Sequence, residues 1–133
     1  MDSAYVLDSY ALIAHFEDEP SGGHVGKILK SAQSGKTKLY LSVINLGEIY
    51  YNTARERGRE TADKIMLMIE QLPVIVVDAG REITWEAARL KAVRPAAYAD
   101  CFTAALGVSK KAAVVTGDPE FNKFGDIIKI AWI

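Results

Sequence analysis

Cysteine, histidine, long apolar runs and an excess of charge are all scarce in this chain of 133 residues. The only cysteine, Cys101, excludes an internal disulfide and a zinc site built from several cysteines, and it fits a reducing compartment. The two histidines, His15 and His24, have no spacing that suggests zinc binding or a catalytic dyad. The apolar runs are too short to span a bilayer, and no signal-peptide pattern is evident. We therefore expect a cytoplasmic protein without a membrane anchor.

The charge balance does not indicate a nucleic-acid partner. Sixteen basic and seventeen acidic residues give a formal net charge of −1. This argument loses force if several of the acids are neutralised by a bound metal ion, because the remaining charge is then basic. Half of the residues are hydrophobic, so the chain is long and apolar enough for one compact domain spanning residues 1–133.

Short β-branched runs alternate with longer segments of helical periodicity. The pattern predicts strands at 5–7, 39–41, 74–77, 112–115 and 127–130. It predicts helices at 9–16 and 24–32, from Glu60 to Pro73, through 83–90 to near Pro95, and at 97–109. A further helix is predicted to end at Gly58 with Ser42 as its cap, and its apolar residues at a spacing of 3.6 are Val43, Leu46, Tyr50 and Ala54. Such alternation implies right-handed crossovers, so we expect a three-layer α/β/α fold with a mainly parallel central sheet.

Four widely separated acidic residues stand out: Asp8, Glu48, Asp100 and Asp118. Asp8 and Asp118 each follow an apolar run, which places both at the carboxyl edge of the predicted sheet, where α/β proteins bind ligands. Ionised carboxylates brought together need a cation, and ligands that are all oxygen favour Mg²⁺ or Mn²⁺. Such ions promote hydrolysis of phosphodiesters. The pattern therefore favours a metal-dependent phosphodiesterase.

Each acid also has an ordinary structural interpretation. Asp8 and Asp118 are suited to helix caps or turns. Glu48 has no Lys or Arg at i±3 or i±4, but an isolated glutamate on a helix usually points to solvent. Asp100 is a candidate N-cap for the amides of Phe102 or Thr103.

Several nearby residues have open roles. Ser9 and Thr116 are suited to holding a metal-bound water or a neighbouring carboxylate, although turn hydroxyls are the commoner explanation. The basic residues between two predicted helices are suited to phosphate contacts or to a solvated helix end. They are Arg55, Arg57 and Arg59, and the same alternatives apply to Lys91 and Arg94. An apolar set in the paired helices is a candidate partner surface or simply core, and it comprises Tyr50, Tyr51, Met66 and Met68.

Four segments resemble PIN-domain proteins, in the order that this family has them. They are Val6 to Ala14 (VLDSYALIA), Leu41 to Ile49 (LSVINLGEI), Tyr98 to Ala105 (YADCFTAA) and Val115 to Phe121 (VTGDPEF). The length and layout resemble the VapC toxins of toxin–antitoxin pairs. The resemblance implies a cytoplasmic Mg²⁺- or Mn²⁺-dependent endoribonuclease, a homodimer inhibited by a VapB-type antitoxin. It also implies that Asp8, Glu48, Asp100 and Asp118 bind the metal and carry catalysis. Many relatives have a further Asp where this chain has Glu120.

Two other function classes stay open on the sequence alone. Mg²⁺-dependent aspartyl phosphotransferases also place an Asp after the first strand, but they usually have a second acid at the position that Tyr10 occupies here. A non-catalytic interaction module, in which the acids are only helix caps, predicts no response of stability to divalent metal.

Overall fold

The computed structural model describes residues 3–133. Its strands are β1 (Ala4–Leu7), β2 (Lys38–Ser42), β3 (Ile75–Val77), β4 (Ala113–Thr116) and β5 (Ile130–Trp132). Its α-helices are α1 (Ser9–Phe16), α2 (Gly22–Gln33), α3 (Val43–Arg57), α4 (Arg59–Glu70), α5 (Arg81–Val93) and α6 (Tyr98–Lys110). A 3₁₀ helix at Pro119–Phe124 follows β4.

The strands form a single sheet in the order β3-β2-β1-β4-β5, and every neighbouring pair is parallel. The first strand of the chain is therefore the central one, with Tyr5 paired to Leu39 on one side and to Ala113 on the other. Because all strands are parallel, their carboxyl ends share one edge. The predicted three-layer α/β/α fold with a parallel sheet is confirmed.

Alternating side chains of the strands build two separate cores. Tyr5 and Leu7 of β1 face the core formed with α1 to α4, whereas Val6 between them faces the core formed with α5, α6 and the 3₁₀ helix. In β4, Val115 and Val114 divide in the same way. With both faces covered by helices, the central strands are apolar throughout, as expected for a buried parallel sheet.

Two local predictions were wrong. The final strand begins at Ile130 rather than at Ile127, because the amides of Ile127 and Ile128 both donate to the carbonyl of Phe124 and prolong the 3₁₀ turn. The buried face of α3 was placed one residue out of register: Asn45, Ile49 and Thr53 are its buried residues. Val43, Leu46, Tyr50 and Ala54, which carry the apolar spacing, are only half-buried.

Helix ends follow local chemistry where a side chain or a backbone angle decides them. The hydroxyl of Ser42 caps α3 by accepting from the Ile44 amide at 3.2 Å, as predicted. Gly58 separates α3 from α4 with φ of 92°, a conformation that other residues adopt only with strain. In the described part of the chain, no helix is long and apolar enough to cross a membrane.

Candidate active site

The four acids predicted from the sequence line a common cleft of about 400 Å³. Asp8 follows β1, Glu48 lies on α3, Asp100 lies on α6 and Asp118 follows β4. Residues from four distant segments therefore meet beyond the carboxyl ends of two neighbouring central strands. Ser9, Tyr10, Ile13, Asn52, Ala97 and Glu120 complete the lining.

Asp8 is fixed more firmly than an exposed carboxylate would be. It is 3% exposed, its Oδ1 accepts from the Ala11 amide at 2.9 Å, and its Oδ2 accepts from the Thr116 hydroxyl at 2.5 Å. Burial raises its pKa to about 7 against the lowering effect of these two hydrogen bonds, and the charges of Asp100 and Asp118 add to the rise. Asp8 is thus the cap of α1 and a rigid wall of the cleft at once.

Glu48 points into the cleft rather than to solvent, because a short chain of polar contacts holds it there. The Ser9 hydroxyl donates to Glu48 Oε1, and the Asn45 side-chain amide donates to the same oxygen at 3.4 Å. Asn45 is fully buried and accepts at its own Oδ1 from the Thr103 hydroxyl at 2.7 Å. Glu48 on α3 is therefore tied to α1 directly and to α6 through Asn45.

Asp100 does not cap α6, which corrects the capping alternative. The helix begins at Tyr98 with Ala97 as its N-cap, so Asp100 lies within the first turn. Its pKa is raised to about 6, mainly by burial and also by the charges of Asp118, Glu48 and Glu120, while Lys123 lowers it. The shift shows that Asp100 and its acidic neighbours are close enough to repel one another.

Asp118 is connected to Asp8 through one hydroxyl. Thr116 donates to Asp8, and its Oγ1 accepts from the Asp118 amide at 3.0 Å. The Asp118 carboxylate accepts from the Glu120 amide at 3.0 Å and caps the 3₁₀ helix. Ser9 and Thr116 therefore hold carboxylates, and Thr116 is also a turn hydroxyl because it accepts from the amide two residues further on.

The donor set fits a hard divalent cation in its chemistry. No Lys, Arg or His lines the cleft, and within residues 3–133 no ion pair involves any of the four acids. Crowded carboxylates without a basic partner are what a cation would stabilise. The carboxylates are nevertheless too far apart to bind one ion as they stand. Within residues 3–133, no group of three His, Cys, Asp or Glu side chains is close enough together to hold a metal ion. Coordination would require Glu48, Asp100 and Asp118 to move towards a shared point.

The predicted basic residues lie outside this cleft. Arg57 pairs with Glu17 at 3.1 Å, and the guanidinium of Arg55 lies over the Tyr51 ring. Lys91 donates to the Ala96 carbonyl. Arg94 makes two hydrogen bonds to the Asp126 carboxylate and one to the Lys123 carbonyl. Lys91 and Arg94 thus brace the loop before α6 rather than flank the cleft.

Three contributors were missed from the sequence. Asn45 lies three positions before Glu48, and its second contact, with Thr103, is 58 positions away. Lys123 donates to the Pro95 carbonyl, pairs with Glu120 and lowers the pKa of Asp100. Tyr10 lines the cleft as an exposed aromatic residue. The spacing of three residues from Asn45 to Glu48 and from Glu120 to Lys123 was an available signal, whereas spacing carries none for the contacts with Thr103 and Pro95.

This geometry defines a class of protein: an α/β/α domain with a carboxylate-rich cleft at the carboxyl edge of a parallel sheet. A family model described as the PIN domain matches residues 5–127, and the chain belongs to this family.

Solved structures of similar fold include VapBC2 from Rickettsia felis bound to a DNA fragment from its promoter. The TM-score is 0.77 at 16% identity, over 98% of this chain and 99% of that one. DNA-bound VapBC from Salmonella typhimurium has a TM-score of 0.76 at 18% identity, over 98% of each chain. VapC20 from Mycobacterium tuberculosis, a toxin that cleaves the sarcin-ricin loop, gives 0.67 at 18% identity over 90% of this chain and 93% of that one. At such identities the likeness establishes the fold alone. No curated protein matches the chain.

Proposed function

We propose that this protein is a Mg²⁺- or Mn²⁺-dependent endoribonuclease of the VapC type, the toxin of a toxin–antitoxin pair. The observation that carries the proposal is the meeting of four carboxylates from four segments in one cleft without a basic partner. Membership of the PIN family and the fold shared with VapC20, a toxin that cleaves the sarcin-ricin loop, support it.

The four acids differ in how many hydrogen bonds hold their carboxylates in place. Asp8, with both oxygens hydrogen-bonded, provides a fixed anionic wall. Glu48 is held at one oxygen, which leaves the other free to bind, and Asp100 has no hydrogen bond to its carboxylate among the described residues. These four acids would hold the divalent ion, which supplies positive charge to the phosphate oxygens and promotes ionisation of a water molecule.

The geometry disfavours the two alternative classes. A phosphotransferase needs an accessible carboxylate oxygen as its nucleophile, whereas both oxygens of Asp8 are engaged and the side chain is buried. A module whose acids are only caps accounts for Asp8 and Asp118. It does not account for Glu48 and Asp100, which cap nothing and still face the same cleft.

The direct test is cleavage of single-stranded RNA by the purified protein, with Mn²⁺ or Mg²⁺ and with EDTA. We expect cleavage only with metal, and a loss of at least about 100-fold in kcat/KM when one acid is replaced by its amide. The variants are Asp8→Asn, Glu48→Gln, Asp100→Asn and Asp118→Asn. Asp78→Asn is the matched control, because Asp78 is exposed and lies outside the cleft.

A second readout separates metal binding from activity. Mn²⁺ should raise the melting temperature of the wild type and of Asp78→Asn, and should raise that of the four cleft variants much less. Full activity in Asp8→Asn and Asp118→Asn, or cleavage that persists in EDTA, would exclude the proposed mechanism.

We extend the proposal to a VapB-type partner, supported by the fold shared with the two VapBC structures. The predicted apolar set is only partly a surface, since Met66 packs against the core and the Tyr50 hydroxyl donates to Asp63. Leu67 and Met68 are the exposed large apolar residues of α4, at 61% and 50%. Leu67→Lys with Met68→Lys should weaken binding of the proposed VapB-type antitoxin at least tenfold.

The control for this surface is Val93→Lys, because Val93 is 77% exposed at the end of α5. Unchanged antitoxin affinity in the α4 double variant would reject that face. The homodimer stays a prediction from the resemblance. Light scattering coupled to size-exclusion chromatography should give twice the mass of the 133-residue chain, and the mass of one chain at micromolar concentration would contradict it.

A further inference from the structure

Tyr10 is the aromatic residue that lines the carboxylate cleft. It is the second residue of α1, directly after Asp8 and Ser9, and it remains 40% exposed. None of the described residues forms a hydrogen bond with its hydroxyl. Its neighbours in the lining are mostly acidic or amide side chains, with Ile13 and Ala97 as the apolar ones, so the ring is the large exposed π-surface of the cleft.

A glycine makes room for this ring. A Cβ added at Gly117 would lie 2.3 Å from Tyr10 Cε1, 2.6 Å from Cζ and 2.9 Å from the hydroxyl oxygen. The backbone of Gly117 does not have a left-handed φ, so the missing side chain rather than conformational freedom is what the position requires. Because Gly117 stands between Thr116 and Asp118, the ring rests on the segment that carries two groups of the cleft.

A metal ion held by the carboxylates can bind the phosphate of an RNA strand, but neither the ion nor the carboxylates offer a surface on which a base can stack. A base flanking the phosphate has an apolar π-face that an aromatic ring can cover regardless of sequence. Negative charge around the ring does not oppose contact with a neutral base, whereas it would oppose a second phosphate.

We propose that Tyr10 is a substrate-positioning residue that stacks on the nucleobase next to the phosphate held in the cleft, with Gly117 setting the position of the ring. This inference rests on the proposed ribonuclease function and adds to it the part of the RNA that is recognised. The ring is the active element, and the hydroxyl is dispensable.

The test compares two fluorescein-labelled probes by anisotropy in Ca²⁺: a random single-stranded RNA dodecamer and a ribose-phosphate dodecamer without bases. The wild type should bind the base-bearing probe roughly 5- to 100-fold more tightly, the range that stacking of one base gives. Tyr10→Phe should keep this preference and Tyr10→Leu should lose it. Gly117→Ala should lose much of it, because the new Cβ displaces the ring.

Gly26→Ala is the matched control for the glycine, since a Cβ there meets nothing within 4 Å. Circular dichroism and thermal melting check that each variant folds. If Tyr10→Leu fails to fold, the comparison of Tyr10→Phe with Gly117→Ala decides. An undiminished preference in Tyr10→Leu, or in Gly117→Ala if that comparison decides, would overturn the inference, as would its loss in Tyr10→Phe.

Cleavage of the same RNA in Mn²⁺ separates this inference from the proposed function. If the wild type cleaves the RNA but Tyr10→Leu keeps its preference for bases, stacking is wrong and the nuclease stands. If the wild type neither binds nor cleaves RNA with any divalent ion, the nuclease fails and the stacking role fails with it.

Discussion

Replacing Asp100 with asparagine should stabilise the metal-free protein at neutral pH while it disables the cleft. Asp100 is crowded by acidic neighbours, and burial together with their charges raises its pKa from 3.8 to about 6. The folded state therefore binds a proton more tightly than the unfolded state does. The stability that protonated Asp100 contributes is fully present below about pH 4 and is lost as the pH rises through about 6. Above that pH the ionised carboxylate weakens the fold.

The size of the gain follows from three contributions. The rise to about 6 corresponds to about 3 kcal/mol at full strength, at 1.36 kcal/mol for each pH unit. Asp100 is only partly buried, so solvent screening reduces this to about 1–2 kcal/mol. Asparagine also forfeits the attraction between a carboxylate and the first turn of α6, which is about 0.3–1 kcal/mol. We expect a net gain of about 1 kcal/mol.

Urea unfolding in EDTA at pH 7.5 and pH 4.0 measures this change. Asp100→Asn should unfold at higher urea than the wild type at pH 7.5, with an unchanged slope, and the difference should largely vanish at pH 4.0. Asp78→Asn, outside the cleft, should show neither effect. An Asp100→Asn variant that is less stable at pH 7.5, or equally stabilised at both pH values, would refute the electrostatic argument.

Three further substitutions test the supports of the cleft and of the fold. Thr116→Val removes the hydroxyl that donates to Asp8, so it should lower the free energy of unfolding, measured by urea titration, by about 1–3 kcal/mol. Thr116→Ser keeps the hydroxyl and should lose much less; an equal loss in both variants would contradict the role of the hydroxyl. Asn45→Ala removes the hydrogen bond to Glu48 and should weaken Mn²⁺ binding, measured by calorimetry, about 10- to 100-fold. An unchanged affinity would show that this hydrogen bond is dispensable. Gly58→Ala should lower the free energy of unfolding by about 1–3 kcal/mol, because alanine is strained at the φ of 92° found there. Gly26→Ala within α2 should not lower it, and equal effects of the two substitutions would exclude backbone strain as the cause.

Much of the architecture could be predicted from local patterns. The alternation of strands and helices fixed the layers, and the Ser42 hydroxyl marked the start of α3. The face of α3 could not be predicted, because its buried positions include Asn45, whose polar side chain is satisfied by the Thr103 hydroxyl across the interface and by Glu48. The start of β5 was missed for a similar reason, since the Phe124 carbonyl captures amides that a strand would otherwise use.

The candidate site shows the same division between local and distant information. The placement of Asp8 and Asp118 followed from the strands that precede them, and both also serve as caps, so the two interpretations of these residues were compatible. What the sequence could not show was which hydroxyl reaches which carboxylate. The pairs Ser9 with Glu48 and Thr116 with Asp8 join positions 39 and 108 apart, and only the folded sheet brings them together.

The order in which the strands are made has a consequence for synthesis of the protein. Among the five strands, the central strand β1 is synthesised first, whereas its second neighbour β4 is synthesised fourth. A truncated or still-growing chain that ends before Thr116 lacks both the partner of Asp8 and the whole of Asp118. Whatever reaction the cleft performs, the complete set of cleft residues exists only after synthesis has passed Glu120, so a chain interrupted before Thr116 cannot assemble it.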